Sequence, residues 1–326
     1  MTVKSLSFEN VVDFGSGVYL VDAQYVRRGL AAIYLVVDDG EAAVIETGTR
    51  YSTSVVLTAL DHLGLQPDAV RYVIPTHVHL DHAGGAGTMM AAFSAAQLIV
   101  HPSGAPHMID PSRLWTAAVN VYGGEVANSL YGGLDAVPES RVVSAIDGLT
   151  MQLGKRRLSV IDTPGHAYHH ICVLEPESNG VFTGDVFGLS YRELDVEALP
   201  TAVISTTPTQ FDPAAMRASI FRILDLEPKA VYLTHFSKVS EVATIGRQLI
   251  GQLDAYLDIE LRNRHVSADK KAGLFESELR DYYEAWRTQA GWRHGKEDVQ
   301  HLLDIDIRLN AQGLAYWSNK MIAQGK

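Results

Sequence analysis

Residues 72–85 read Tyr-Val-Ile-Pro-Thr-His-Val-His-Leu-Asp-His-Ala-Gly-Gly, and this stretch organises the rest of the chain. The apolar residues 72–74 predict a buried strand that ends at the following Pro-Thr pair. The apolar residues 89–93 predict a helix after the Gly-Gly pair. Between strand and helix, four candidate metal ligands fall within six residues: His77, His79, Asp81 and His82.

The spacing of these side chains indicates a two-metal site. His77 and His79 are two residues apart, so in an extended segment they point to the same side. Asp81 and His82 follow once the chain has begun to turn, so they face a second point nearby. Imidazoles and carboxylates suit Zn²⁺, which we expect, with Fe or Mn as alternatives. The competing interpretation is a polar turn whose histidines share no role.

Composition limits the class of protein and its partners. The chain has 326 residues, of which 47% are hydrophobic and 20% charged, as is typical of a soluble globular protein with a large core. It has neither an apolar run of membrane-spanning length nor an N-terminal signal-peptide hydrophobic region, so we expect a cytoplasmic protein without a membrane partner. A net charge of −11 argues against nucleic-acid binding and leaves a small-molecule substrate as the expected partner.

The order of predicted elements changes near residue 240. Before it, strand patterns (18–21, 32–37 and 42–45) give way to alternating strands and helices. After it, helical periodicity takes over. We therefore predict two domains, 1–240 and an all-helical 241–326.

Three further strand-like runs end at a candidate ligand. His166 follows Thr-Pro-Gly at 163–165, Asp185 follows Phe-Thr-Gly at 182–184, and His235 follows Thr234. Side chains presented from the ends of several strands are how a rigid scaffold fixes a metal pair.

Together with Thr-His-Val-His-Leu-Asp-His-Ala-Gly-Gly at 76–85, these segments give the chain a specific resemblance over roughly residues 15–240. The chain resembles the metallo-β-lactamase-fold hydrolase superfamily, and its helical tail is similar to that of glyoxalase II-like members. The resemblance implies an α/β (α+β) fold, a four-layer αββα sandwich of two mixed sheets, followed by the helical C-terminal domain.

The resemblance also implies two metal-ligand sets and a reaction. His77, His79 and His166 would hold one ion, and Asp81, His82 and His235 the other. Asp185 would bridge the two ions. The implied reaction is hydrolysis by a metal-bridging hydroxide, with Asp81 as the catalytic residue that orients it and takes its proton.

Several residues near these motifs have open roles. Glu46 in Glu-Thr-Gly stands where the family usually has Asp-x-Gly, and we expect it to hydrogen-bond a ligating imidazole, the alternative being a solvated carboxylate. Of His169 and His170, we expect one to hydrogen-bond near the ligands and the other to be a surface residue. Tyr191 is either a hydrogen-bond donor to substrate or a packing tyrosine.

Two longer segments also allow two interpretations. Residues 102–138 contain Trp115, Tyr122, Tyr131 and two Gly-Gly pairs, and predict either a lid or pocket wall, or a helical pair with its aromatics in the core. In the tail, the aromatics at 282, 283 and 286 suit a core more than substrate contacts. The tail is also where a homodimer contact would lie.

We therefore predict a dimetal hydrolase acting on an ester, thioester or lactone. A phosphodiesterase of the same fold is the first alternative. The second is a non-hydrolytic protein, either a metal-binding sensor or a diiron protein, although redox members usually carry a flavin-binding domain that a helical tail does not resemble.

Overall fold

The computed structural model describes residues 11–197, 200–206 and 208–325. The expectation of no signal peptide concerns residues that lie in part outside these ranges, since 1–10 are not described. Within them, no helix combines the length and apolarity needed to cross a lipid bilayer.

Within the described residues, the first sheet has seven strands that neighbour one another in chain order. Strands β1 to β4 are antiparallel, and β4 to β7 pair in parallel, so the sheet is mixed. The bounds are β1 Val11–Asp13, β2 Val18–Asp22, β3 Ala32–Asp38, β4 Glu41–Ile45, β5 Val70–Ile74, β6 Gln97–Val100 and β7 Val142–Ser144.

The second sheet, in the part of the chain that the structure describes, has six strands in the order β13-β12-β11-β10-β9-β8. Strands β8 to β11 are antiparallel and β11 pairs with β12 in parallel, so this sheet is mixed as well. The bounds are β8 Thr150–Leu153, β9 Arg156–Asp162, β10 Ile171–Glu175, β11 Gly180–Gly184, β12 Ala230–Leu233 and β13 Ser237–Val239.

The two sheets meet through a shared apolar core. Tyr34 of β3 packs against Phe182 of β11 and Tyr232 of β12, with ring centroids 5.2 and 5.5 Å apart. The Tyr34 hydroxyl donates to the carbonyl of Leu233, which satisfies the one polar group this ring buries. Cys172 of β10 is also buried, and its thiol donates to the carbonyl oxygen of Thr183 at 3.7 Å.

Three helices cover the other face of the first sheet: α1 Ser52–His62, α3 Ala86–Ala92 and α4 Ala105–Ile109. Their Val56, Met89 and Met108 are buried in one cluster with side chains of β3, β4 and β5. Because this sheet is covered on both faces, β4 reads as a continuous apolar run, with four of its five residues buried.

The remaining helices of the described residues include four long ones and three short ones. Their bounds are α2 Leu80–Ala83, α5 Ser112–Tyr122, α6 Gly124–Tyr131, α7 Pro213–Asp225, α8 Val242–Asn263, α9 Ala268–Ala290 and α10 Lys296–Ala323. Two mixed sheets with flanking helices and a helical C-terminal part confirm the predicted fold class. Residues 102–138 contain a helical pair, α5 and α6, which was one of the two interpretations of that segment. Helix α3 begins three residues earlier than the apolar run at 89–93 predicted.

The described chain forms two compact units. The first runs to Asp162 and includes His169–Gly184 and Lys229–Lys238; it holds both sheets up to Lys238. The second contains Thr163–Tyr168, Asp185–Pro228 and the chain from Val239 onward. The second unit thus adds two earlier segments to the helical tail, and a domain boundary at residue 240 stays a prediction.

The second unit has a core of its own. Tyr283 of α9 is 1% exposed, and its hydroxyl lies 2.7 Å from that of Tyr256 in α8. The Tyr256 hydroxyl also accepts a hydrogen bond from the amide of Asn310 in α10. Of the aromatic set predicted in α9, Tyr283 is therefore a core residue, and Trp286 packs near Trp292 with ring centroids 5.0 Å apart.

Candidate metal centre

The ligand loop has the local geometry that its sequence predicts. After β5 the chain bends at Thr76 and His77, the backbone of His79 has extended φ and ψ, and α2 begins at Leu80. The imidazoles of His77 and His79 converge, with His77 Nε2 and His79 Nδ1 2.7 Å apart. Asp81 lies in the first turn of α2, so its carboxylate leaves the chain in a different direction from the two imidazoles.

Asp81, His82 and His235 form a compact cluster in the first unit, with one ligand atom from each lying within 4.8 Å of the others. His235 Nε2 lies 3.3 Å from both Asp81 Oδ2 and His82 Nε2, and His82 Nε2 lies 3.8 Å from Asp81 Oδ2. Ligands at 2.0–2.1 Å around a tetrahedral ion are separated by roughly 3.4 Å. The cluster therefore fits a divalent cation.

The outward-facing nitrogens of these imidazoles support the same conclusion. His82 Nδ1 lies 3.0 Å from Glu46 Oε1, and His235 Nδ1 lies 2.7 Å from the carbonyl oxygen of Leu30. With each Nδ1 donating to an oxygen acceptor, each Nε2 keeps its lone pair facing the cluster. This is the arrangement in which histidine binds metal.

Glu46 is the acceptor at the centre of this network. It is 1% exposed, and its Oε1 accepts from the hydroxyls of Thr76 and Thr234 at 2.6 and 2.8 Å in addition to His82. Its Oε2 accepts from the backbone N–H of Thr76 at 3.1 Å. The Thr76 hydroxyl in turn lies 3.1 Å from His77 Nδ1, so one carboxylate orients two imidazoles.

Glu46 therefore contacts the imidazole of a candidate ligand, as the sequence predicts, and it is not a solvated loop carboxylate. Its backbone adopts φ 68°, a conformation that side-chain-bearing residues rarely adopt. Such a backbone is held only where the surroundings over-determine it, which the four hydrogen bonds of this side chain do.

His166 and Asp185 form a second buried pair, in the second unit. His166 Nε2 lies 3.5 Å from Asp185 Oδ2, and His166 Nδ1 lies 3.1 Å from the carbonyl oxygen of Ser205. The outward nitrogen is thus again bonded to an oxygen acceptor, which leaves Nε2 on the side of the carboxylate. The pair has the donor types and orientation of metal ligands.

The expectation that one of His169 and His170 is a surface residue is wrong, because both are buried. His169 Nδ1 accepts a hydrogen bond from the backbone N–H of Val78 at 3.3 Å, inside the ligand loop. The ring of His170 stacks on that of His77, with centroids 5.1 Å apart. Both residues lie directly before β10, and this position brings them into contact with the ligand loop.

The exposure of the ligands in the first unit defines an open side. His77 and His82 are fully buried, whereas His79 and Asp81 are partly exposed. The side chain of Asp81 is 24% exposed and that of His235 is 9% exposed. The solvent-exposed side of this cluster is therefore that of Asp81 and His79.

Two tyrosines lie beside this open side. Burial raises the pKa of Tyr25 and of Tyr131 well above the ordinary value for tyrosine, and the negative charge of Asp81 adds to both shifts. Both phenols are therefore protonated at any working pH and serve as hydrogen-bond donors. Neither was among the residues that the sequence singled out for the metal site.

Tyr191, by contrast, has its hydroxyl engaged within the second unit. The hydroxyl donates to Asp306 Oδ2 of α10 at 2.8 Å, and the residue is 5% exposed. These contacts favour the packing interpretation over a direct role with substrate.

The hydrogen-bond partners of the ligands carried little sequence signal. Thr76 and Thr234 each stand directly before a ligand histidine, and that repeated Thr-His pattern was the one available indication. The carbonyls of Leu30 and Ser205 could not have been found, because every residue has a carbonyl.

Comparison with known proteins gives a consistent family assignment. The metallo-beta-lactamase superfamily matches residues 26–235. The metallo-beta-lactamase fold-containing protein ST1585 of Sulfurisphaera tokodaii is 28% identical over 216 residues, which cover 65% of this chain and 74% of that protein. The acyl-coenzyme A thioesterase MBLAC2 of Bos taurus is 26% identical over 190 residues, covering 53% of this chain and 64% of the relative, so the match spans less than two thirds of that protein.

A solved structure resembles the chain over nearly its whole length. The metallo-beta-lactamase family protein TTHA1429 from Thermus thermophilus aligns with a TM-score of 0.63, covering 95% of this chain and 94% of that one at 20% sequence identity. At that identity the likeness is one of fold.

Proposed function

The chain belongs to the metallo-beta-lactamase superfamily and is a metal-dependent hydrolase, and on that premise we propose that it hydrolyses acyl thioesters. In this reaction the oxygen of water bonds to the acyl carbon, the carbon–sulfur bond breaks, and the thiolate that leaves takes up a proton. The products are a carboxylic acid and a thiol. Thioesters lie within the ester, thioester and lactone class that the sequence predicts.

The observation that carries this proposal is the cluster of Asp81, His82 and His235. Its nitrogen and oxygen atoms have tetrahedral-ligand spacing, and both outward imidazole nitrogens are bonded to fixed acceptors. The choice of thioester among hydrolysable bonds is supported by the relative named as an acyl-coenzyme A thioesterase.

We further propose that the protein holds two divalent ions, with zinc as the metal. The family pattern supports one ligand set of His77, His79 and His166, a second set of Asp81, His82 and His235, and Asp185 as the bridge. Within each unit, donor atoms of predicted ligands lie close together: those of His77 and His79, of Asp81, His82 and His235, and of His166 and Asp185.

Bound divalent ions supply Lewis acidity, which lowers the pKa of water and polarises a carbonyl. The chain supplies position and proton transfer. Glu46 holds the ring of His82 and, through Thr76, that of His77. Asp81 is the partly exposed carboxylate of the cluster, and it accepts a hydrogen bond from the attacking water, orients it and takes its proton.

Initial rates on a substrate panel test the proposal. The panel contains an acyl-coenzyme A, S-lactoylglutathione, a long-chain lactone, a phosphodiester chromophore and a cephalosporin, each with the zinc-loaded protein and with His79→Ala. The matched control is His265→Ala, which removes an exposed histidine outside the metal set. We expect thioester turnover in the wild type and in His265→Ala. In His79→Ala we expect the rate to fall by roughly a hundredfold or more.

Metal analysis of the same samples tests the ligand assignment. We expect two equivalents of zinc in the wild type and in His265→Ala, and fewer in His79→Ala. Turnover of the phosphodiester alone would overturn the thioester proposal in favour of a phosphodiesterase. Two bound ions without turnover of any substrate would overturn it in favour of a sensor.

A further inference from the structure

Helices α5 and α6 place apolar side chains directly against the ligand loop. Leu80, which stands between the candidate ligands His79 and Asp81, packs with Ala118 of α5 and Tyr131 of α6. Partly exposed apolar side chains surround this contact, namely Tyr25, Leu114, Trp115, Leu130 and Leu134. The open side of the metal cluster therefore has one apolar and aromatic wall.

A pair of phenols forms the inner end of that wall. The rings of Tyr25 and Tyr131 stack at 5.9 Å with an interplanar angle of 24°, and their hydroxyls are 3.1 Å apart. The pair carries two hydroxyl protons, and the hydrogen bond between them uses one. The described residues offer no acceptor for the second, although Tyr131 is only 5% exposed.

A buried donor without an acceptor is costly, so it indicates a group that a ligand satisfies. The phenol belongs to a residue that packs on Leu80, which stands between the candidate ligands His79 and Asp81. The phenol pair is thus suited to hold the polar end of a substrate at the cluster.

The wall continues outward to the surface as an apolar track. Tyr122, at the end of α5, lies 6.0 Å from the ring of Tyr131 and is 44% exposed. Val121 of α5 and Val126 of α6 are 74% and 50% exposed. The hairpin therefore has apolar side chains both in its contact with Leu80 and on its exposed surface.

We propose that the α5–α6 hairpin binds the acyl chain of the substrate, and that the protein acts on thioesters with a hydrophobic acyl chain of about eight carbons or more. This inference rests on the proposed thioester hydrolysis. A ligand with a polar end and an apolar chain matches this site, because the unused hydroxyl donor lies in the cluster that holds Leu80 and the surrounding side chains are apolar.

Charge on the hairpin argues against an anionic membrane as its occupant. Helix α6 contains Glu125 and no lysine or arginine, and the one basic residue of α5 is Arg113. Helices that bind anionic lipid surfaces are rich in lysine and arginine on the polar face. A second copy of the chain as occupant is one of the outcomes that the following experiment detects.

The test compares kcat/KM for acetyl-, octanoyl- and dodecanoyl-coenzyme A in the metal-loaded protein. Trp115→Ala removes a large side chain of the wall, and Tyr122→Ala removes one of the outer track. The matched control is Tyr316→Ala, which removes a tyrosine of similar exposure, 48%, from α10. For dodecanoyl-coenzyme A we expect a loss of about tenfold in Trp115→Ala and about threefold in Tyr122→Ala, with acetyl-coenzyme A unchanged.

A binding measurement separates this inference from the proposed reaction. S-dodecyl-coenzyme A is a thioether that cannot be hydrolysed, and its Kd is measured by calorimetry for the same variants and for Tyr131→Phe. We expect the Kd to rise by about tenfold in Trp115→Ala and in Tyr131→Phe. In Tyr316→Ala we expect the Kd of the wild type.

The outcomes are distinguishable. Equal losses for acetyl and dodecanoyl substrates, or an unchanged Kd in Trp115→Ala, would overturn the acyl-binding role even if thioesters are hydrolysed. If no thioester is hydrolysed but the thioether binds and the variants weaken it, the binding surface stands and the proposed reaction fails. A dimer that dissociates in Tyr122→Ala, seen by sedimentation, would show that the tip contacts a second copy instead.

Discussion

Replacing Glu46 with glutamine should weaken metal binding without removing a ligand. Glu46 accepts four hydrogen bonds, three at Oε1 and one at Oε2. In glutamine one of the two carboxylate oxygens is replaced by an NH₂ group, which donates. At least one of the four hydrogen-bond donors around Glu46 then faces another donor. If the amide oxygen takes the place of Oε1, its NH₂ group faces the N–H of Thr76; if it takes the place of Oε2, its NH₂ group faces His82.

The expected magnitude follows from these contacts. A lost hydrogen bond to a charged group costs about 1.5–3 kcal/mol, so we expect the apo protein to be less stable by that amount. Loss of an acceptor behind a ligand histidine lowers metal affinity by about 10–100-fold. This range corresponds to about 1.4–2.8 kcal/mol of binding free energy.

The assay is a competition between the apo protein and a chromogenic zinc chelator, with urea unfolding of the same samples. The matched control is Glu175→Gln, a second fully buried carboxylate of the first unit, which pairs with Arg156. Glu175→Gln should lose stability and keep its zinc affinity, because its partners contact none of the candidate ligands. Equal zinc affinity in Glu46→Gln and wild type would refute the role of Glu46 in orienting His82.

Three further predictions concern other parts of the chain. Asp81→Asn should lower kcat by about 10²–10⁴-fold while most of the bound metal is retained, as checked by rates and metal analysis of the same sample. The backbone N–H of Lys155, aided by Arg156, holds the pKa of Asp38 below its ordinary value. The stability that Asp38 contributes is therefore present above about pH 4 and is lost as pH falls through the lowered pKa, so the difference in unfolding free energy between wild type and Asp38→Asn should shrink over that window. Tyr283→Phe should cost about 1–3 kcal/mol of unfolding free energy, since Tyr256 and Gln252 lose a buried partner, and should leave zinc content unchanged.

The candidate ligands were accessible to sequence reasoning because they follow strands. A strand has a period of two and a clear apolar pattern, so its end can be located in the sequence. His77, His79, Asp81 and His82 are fixed relative to one another by a few covalent bonds. The hydrogen bonds that orient these ligands join residues far apart in the sequence. Glu46, for example, contacts Thr234, which is 188 residues away.

Errors in the sequence predictions arose where burial depends on distant segments. His169 and His170 are polar and adjacent, a pattern that fits a surface turn, yet both are buried around Val78 and His77. Nothing within a few residues of either histidine shows that the ligand loop will lie against it. The aromatics of residues 102–138 posed the same difficulty, because the ring that Tyr131 meets is that of Tyr25, 106 residues away.

The sequence by itself therefore determined the fold class, the family and the residue types available to hold metal, because these depend on local periodicity and on ligands a short covalent distance apart. The tertiary structure decided which groups orient the ligands and what surrounds the open side of the cluster. The carbonyl of Leu30, 205 residues before His235, accepts the hydrogen bond that fixes that ring. A backbone carbonyl has the same chemistry at every position, so only the folded chain selects the one that acts.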